Sequence, residues 1–155
     1  HMQILPLPLD DDQLGPRDDK GTLIDSALGN QQSQEKIFKL GCFRFKHRVM
    51  KLPEIKLTME PDIEVGHQLL TCFQNILQDM NIKYVSCENN PELSYNVLFT
   101  LDWMFVVPRK CEEYEGIKIN SVGFAGSILV RNEAELEFAK DSGPFKVLEE
   151  VAIKE

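Results

Sequence analysis

The stretch SYNVLFTLDWMFVVPR, which runs from Ser94 to Arg109, decides the fold that this sequence predicts. It holds two short apolar runs, Tyr95–Phe99 and Trp103–Val107, with three residues between them. Two such runs joined by a short link are typical of an antiparallel β-hairpin. Four positions in the stretch are harder to explain as core packing alone, namely Asn96, Thr100, Trp103 and Arg109.

The segments on either side of this hairpin predict further strands and helices. Large apolar and basic residues alternate over Phe43–Leu52, which indicates a half-buried strand, and a short strand is expected at Ile117–Ile119. Apolar residues recur every three or four positions over Glu60–Asn81, which predicts a helix on the face of the sheet. Helices are also expected at Glu133–Ala139 and Phe145–Ala152. The predicted class is therefore α+β, with a mostly antiparallel sheet and helices packed on it.

The length and the charge of the chain limit its organisation and its partners. Residues 1–155 are enough for one domain with one core, and the polar stretch 10–34 is expected to be a loop insertion. The net charge of −8 argues against a nucleic-acid surface, although an acidic protein can still hold a nucleotide through backbone N–H groups and a few cations. There is no apolar run of about 20 residues and no secretory signal. We expect no membrane partner and a cytoplasmic protein, with the nucleus as an additional compartment.

The histidines and cysteines show no local pattern of a metal or catalytic site. The cysteines at 42, 72, 87 and 111 lack the spacing of a zinc site, so reduced thiols are expected. His47 lies between Lys46 and Arg48, and this like-charged neighbourhood favours a solvated surface position. His67 falls on the polar side of the predicted helix.

The stretch INSVGFAGSILVRN, Ile119 to Asn132, contains two glycines in an apolar run. Gly123 and Gly126 either let the backbone approach a ligand closely or allow two elements to pack tightly. Asn120 and Ser121 just before them can present polar groups to a phosphate. The spacing matches neither of the known glycine-rich phosphate-binding motifs, so both interpretations stay open.

The first residues, HMQILPLP, also have two interpretations. His1-Met2 is a dipeptide that cloning vectors often leave behind. His1 is alternatively a residue that takes part in the chemistry.

Several short motifs taken together resemble the C-terminal part of the ATP adenylyltransferases, the diadenosine tetraphosphate phosphorylase family. The matching segments are Tyr95–Thr100, Trp103-Met104, Val107–Arg109, Ser121–Gly126 and Gly143–Val151. The family is similar to the histidine-triad proteins and the galactose-1-phosphate uridylyltransferases, which implies a histidine-triad-like fold. It carries an H-x-H-x-Q signature, and HMQILPLP looks like the second half of that signature.

The resemblance implies a nucleotidyl transfer in two steps. A histidine attacks the α-phosphoryl group of diadenosine tetraphosphate and expels ATP, and inorganic phosphate then releases the bound AMP as ADP. His1 falls on the nucleophilic histidine and Gln3 on the signature glutamine. Both lie on one face of an extended strand, so the Gln3 amide can donate to a phosphate oxygen. The implied partners are diadenosine polyphosphates, ATP, ADP and phosphate.

Five positions match the family's substrate contacts: Asn120, Ser121, Val122, Ser127 and Arg131. At Ser127 the family is expected to have Met, and at Arg131 it is expected to have Lys. Arg for Lys keeps a cation but replaces a compact ammonium with a planar fork. Ser for Met removes apolar contact area.

The match covers only the second half of a full-length family member, which leaves two functions open. The chain is either a nucleotidyltransferase fragment or a non-catalytic nucleotide-binding or interaction domain of the same descent. Metal dependence is also open, because a divalent ion such as Mg²⁺ would arrive with the substrate phosphates. Self-association through an exposed sheet edge or face is an expectation as well.

Overall fold

A four-stranded antiparallel sheet organises the computed structural model, which describes Ile24 and residues 35–54, 62–83 and 94–155. The strand order is β1-β2-β4-β3. The strands are β1 (Ile37–Phe38), β2 (Arg48–Lys51), β3 (Ser94–Phe99) and β4 (Trp103–Arg109). A separate hairpin joins β5 (Glu113–Tyr114) to β6 (Ile117–Lys118). His1, Gln3 and the expected insertion 10–34, apart from Ile24, lie outside the described residues.

The predicted hairpin is confirmed, and its second strand is the centre of the fold. β3 pairs with β4 from Ser94 opposite Arg109 to Phe99 opposite Met104. β4 also pairs with β2, and every residue of β4 except Arg109 is buried. A strand covered on both faces reads as a continuous apolar run, because neither set of alternating side chains meets water.

One face of the sheet is covered by α1 (Ile63–Asp79), which confirms the long predicted helix within narrower bounds. The helix begins where Asp62 Oδ1 accepts a hydrogen bond from Glu64 N at 2.9 Å. It ends before Asn81, which has a positive φ of 56°. Its buried side chains pack on the β2 and β4 residues that point to this face, and the cluster comprises Met50, Cys72, Ile76, Leu77, Met80, Met104 and Val106.

The opposite face carries the larger core cluster. Trp103, Phe105 and Val107 of β4 alternate with the residues that face α1. Three helices contribute side chains to this cluster: α2 (Ser121–Phe124), α3 (Glu133–Ser142) and α4 (Pro144–Val151). Ile24, which is fully buried, also belongs to this cluster. None of the described helices is long and apolar enough to span a bilayer.

Two predictions around β2 are wrong. The strand expected over Phe43–Leu52 forms regular pairs only at Arg48–Lys51, and Phe45 makes a single bridge to Lys154. His47 is not a solvated residue, because only 1% of its surface is exposed. Its Nε2 accepts from Leu40 N at 2.9 Å and its Nδ1 lies 2.7 Å from Phe45 O. These two contacts define a neutral imidazole that carries its proton on Nδ1.

The α+β class with a mostly antiparallel sheet is confirmed by these elements. The expected helices at Glu133–Ala139 and Phe145–Ala152 are confirmed as α3 and α4, and the strand at Ile117–Ile119 as β6. Cys42, Cys72 and Cys111 are free thiols.

Candidate functional site

A cavity of about 370 Å³ lies where the end of β4 meets the β5–β6 hairpin and the segment after α2. Asn120 and Arg131, two of the residues that the family resemblance implies as contacts, both line it. The other lining residues are Arg109, Glu112, Lys118, Ile119 and Leu129. The volume falls in the range of small-molecule sites, about 300–1,000 Å³.

Asn120 positions the one-turn helix α2 beside this cavity. Its Oδ1 accepts from Gly123 N at 3.2 Å, so the residue caps the helix while remaining exposed. Ser121 Oγ donates to Asn96 Oδ1 at 3.4 Å, which ties α2 to β3. Asn96 is 4% exposed, and its Nδ2 has no hydrogen-bond partner among the described residues.

The two glycines of this stretch have different roles. Gly123 is buried, and a Cβ built there would lie 3.0 Å from Ile119 Cγ2 and 3.8 Å from Leu148 Cδ2. Tight packing between elements therefore accounts for Gly123. Gly126 follows the helix at a φ of 112°, a conformation that side chains disfavour. Its N–H donates to Gly123 O, and the next N–H, that of Ser127, donates to Val122 O at 3.2 Å. Ser127 is exposed but does not line the cavity.

Arg131 is held by the residues around it. Its Nη2 donates to Glu135 Oε1 at 2.7 Å and to Gly116 O at 2.8 Å, and its Nε donates to Glu135 Oε1 at 3.0 Å. Hydrogen bonding to Arg131 lowers the pKa of the Glu135 carboxyl, and the same contact raises the pKa of Arg131. The Arg131 guanidinium thus links the β5–β6 hairpin to the start of α3 through hydrogen bonds.

Arg109 and Lys118 complete the set of cations in the cavity. Arg109 Nη2 is 3.4 Å from Glu112 Oε1, whose side chain is 75% exposed. Arg109 Nε is shielded from solvent and donates to no atom of the described residues. Lys118 is exposed and stands opposite Glu113 in the β5–β6 ladder.

The structure thus brings together part of the expected site. It places Asn120 and Arg131 at one cavity, with Ser121 and Val122 in the adjoining helix. His1 and Gln3 lie outside the described residues, so their expected roles stay predictions. The sequence did not single out Lys118, and it singled out Arg109 as a residue that core packing does not explain and as part of the family-matching segment Val107–Arg109, but not as a ligand contact. The described residues contain no group of three or more side chains able to hold a metal ion.

These features define a cation-lined cleft at one end of the sheet of an α+β domain. Residues 42–154 match the model of the ATP adenylyltransferase C-terminal domain. The chain therefore belongs to the ATP adenylyltransferase family, through its C-terminal domain.

Two curated relatives come from Saccharomyces cerevisiae strain S288c. Protein APA1 is 37% identical over 94 residues, which cover 57% of this chain and 28% of that protein. Diadenosine 5',5'''-P1,P4-tetraphosphate phosphorylase 2 is 36% identical over 99 residues, which cover 60% of this chain and 29% of that protein. The chain thus spans less than a third of the length of these relatives.

Solved structures of yeast Ap4A phosphorylase Apa2 share the fold. One crystal structure aligns with a TM-score of 0.54 and 26% identity over 75% of this chain and 39% of that one. The complex of the same enzyme with Ap4A aligns with a TM-score of 0.61 and 24% identity, over 86% of this chain and 44% of that one. The shared fold agrees with the family assignment.

Proposed function

We propose that this domain binds an adenine nucleotide in the cavity bounded by Asn120 and Arg131. The observation that carries the proposal is the meeting of two independent signals at one place. Two positions matched to the family's substrate contacts line a cavity that also holds Arg109 and Lys118. Cations and a few convergent polar groups in a concave site are suited to an anionic small ligand.

We further propose that the reaction served by this site is phosphorolysis of diadenosine tetraphosphate. The imidazole at His1 attacks the α-phosphorus of the dinucleotide, the phosphorus–oxygen bond to ATP breaks, and ATP leaves. An oxygen of inorganic phosphate then attacks the same phosphorus, the bond to histidine breaks, and ADP leaves. The Gln3 amide donates to a non-bridging oxygen, where charge develops. The reverse direction transfers an adenylyl group from ATP.

Nucleotide binding is tested by calorimetric titration of the chain with ATP, AMP and Ap4A. The informative variant is Asn120→Asp, because Asp also caps a helix and so preserves the hydrogen bond to Gly123. It places a negative charge beside the cavity, and we expect a loss of ATP affinity of about tenfold. Asn75→Asp makes the same change on the exposed surface of α1 and should bind ATP as the wild type does. Equal affinities of the two variants would refute the site.

Turnover is tested separately, with Ap4A and phosphate as substrates and chromatography of the products. The proposed reaction gives ADP and ATP in equal amounts, and an AMP adduct on His1 in mass spectrometry. The second candidate is a non-catalytic nucleotide-binding or interaction domain of the same descent. Nucleotide binding with neither turnover nor adduct would select that candidate.

A further inference from the structure

The three cations of the cavity are not equally free to meet a ligand. Arg131 is engaged by Glu135, whose side chain is 8% exposed and which also accepts from Arg131 N at 2.8 Å and Asn132 Nδ2 at 3.3 Å. A ligand that drew the guanidinium away would leave Glu135 with less compensation in a buried position. Breaking such a pair is costly, because a carboxylate removed from water needs its donors.

Arg109 is held by fewer contacts than Arg131 in the described part of the chain. It is the last residue of β4, its side chain is 19% exposed, and it lines the cavity. Its Nε–H is shielded from solvent without an acceptor among the described residues. Its contact with Glu112 is long, at 3.4 Å, and Glu112 is largely in water. A donor that solvent cannot reach is equally closed to an incoming ligand, so contact with a ligand falls to the terminal Nη groups, of which Nη2 has only this long contact among the described residues.

Lys118 gives the cavity a second available cation. It belongs to β6, while the cavity-lining Ile119 that follows it is anchored in the core at 3% exposure. No ion pair within 4.0 Å engages Lys118 among the described residues, although Glu113 faces it across the ladder. A fork from Arg109 and a point charge from Lys118 suit the tetrahedral oxygens of a phosphoryl group.

We infer that Arg109 and Lys118 form a phosphoryl-binding subsite of the cavity, beside Arg131, whose Nε and Nη2 are already bound to Glu135 and Gly116. The inference rests on the proposed nucleotide site and adds which residues hold the phosphate oxygens. The phosphoryl group comes from one of two sources, the polyphosphate of the nucleotide or free inorganic phosphate. The two sources differ in whether an adenosine moiety is attached.

The test measures binding of adenosine, AMP, ATP and inorganic phosphate to the wild type and to Arg109→Gln and Lys118→Gln. We expect each variant to lose about tenfold in ATP affinity and to bind adenosine unchanged, since only charge-assisted contacts are removed. Lys51→Gln is the matched control, because Lys51 pairs with Trp103 at the other end of β4 from Arg109. Six residues of strand place it about 20 Å away. A thermal melt verifies that each variant is folded.

Each possible result either supports or refutes the phosphoryl-binding subsite. If both variants bind ATP with the same affinity as the wild type, the subsite is refuted and the proposed nucleotide binding is not. Loss of ATP and of inorganic phosphate binding in both variants supports a subsite that also takes free phosphate, whereas loss of ATP alone assigns it to the nucleotide's polyphosphate. If the wild type binds no adenine nucleotide, the proposed function fails. The subsite then stands only if inorganic phosphate binds and both variants weaken it, and it falls otherwise.

Discussion

Replacing the buried His47 with leucine tests how the core beside β2 is held together. His47 Nε2 accepts from Leu40 N at 2.9 Å, and Nδ1 donates to Phe45 O at 2.7 Å. Leu40 and Phe45 are each 1% exposed, so His47→Leu leaves two buried backbone groups without their partners. Each such group costs about 1–3 kcal/mol, and the apolar surface of leucine returns about 1–2 kcal/mol.

The two groups together cost about 2–6 kcal/mol, so the expected net loss in the free energy of unfolding is centred on about 2.5 kcal/mol. In a domain of this size each kcal/mol lowers the melting temperature by about 2–4 °C. Urea denaturation and a thermal melt measure both quantities. The matched control is His67→Leu on the exposed surface of α1, where we expect a change within about 0.5 kcal/mol. Equal stabilities of the two variants would show that the His47 hydrogen bonds do not hold this core.

The same histidine gives the wild type a dependence on pH. Burial lowers the pKa of His47 from its ordinary value of 6.5, and the nearby Arg48 and Lys39 act in the same direction, whereas Phe45 O and Glu155 oppose them. The unfolded chain thus takes up the proton more readily than the folded one. The contribution is complete above pH 6.5 and is lost as the pH falls through the lowered pKa. His47→Leu should flatten this part of the stability profile.

Three further substitutions test local features of the fold by urea denaturation. Gly66→Ala should stabilise by about 0.5–1 kcal/mol, because Gly66 lies inside α1 with open space where a Cβ would stand. Gly143→Ala should destabilise by about 1–3 kcal/mol although its surroundings are equally open, because its φ of 81° and ψ of 141° strain any residue with a side chain. Equal effects of Gly66→Ala and Gly143→Ala on the free energy of unfolding would contradict this backbone argument. Asp79→Asn should cost about 1 kcal/mol, because it weakens the 2.6 Å contact with Arg48 Nε, and Asp141→Asn at the exposed end of α3 should cost nothing measurable.

Local periodicity predicted the elements whose cause is local. α1 follows from apolar residues every three or four positions, and the structure moves its start to the residue after the Asp62 cap. The β3–β4 hairpin follows from two apolar runs and a short link. The strand over Phe43–Leu52 was too long, because alternation shows which side chains share a face but not whether a partner strand is present. Among the described residues, Phe45 forms its β-bridge with Lys154, more than 100 residues further on.

His47 shows how a neighbourhood argument can conflict with a periodicity argument. Its sequence neighbours are basic, but in an extended segment they point to the opposite face. Phe45 and Val49, two positions away on either side, are buried in the larger core cluster, and His47 follows them inward. Arg48, on the other face, reaches Asp79 of α1. Parity along the segment was therefore a better guide than the charge of adjacent residues.

For the candidate site, the sequence shows which residues are charged but not which of these side chains are already paired within the fold. The resemblance pointed to Arg131, and the structure shows its guanidinium engaged by Glu135 four residues later and by Gly116 O. Arg109 comes from a different part of the chain and reaches the same cavity only because β4 ends there. A buried carboxylate thus changes the role of one cation, and the end of a central strand supplies another. The cations of this cleft differ in their tertiary pairing, which is why substitutions at Arg109 and Lys118 test the proposed phosphoryl subsite more directly than a substitution at Arg131.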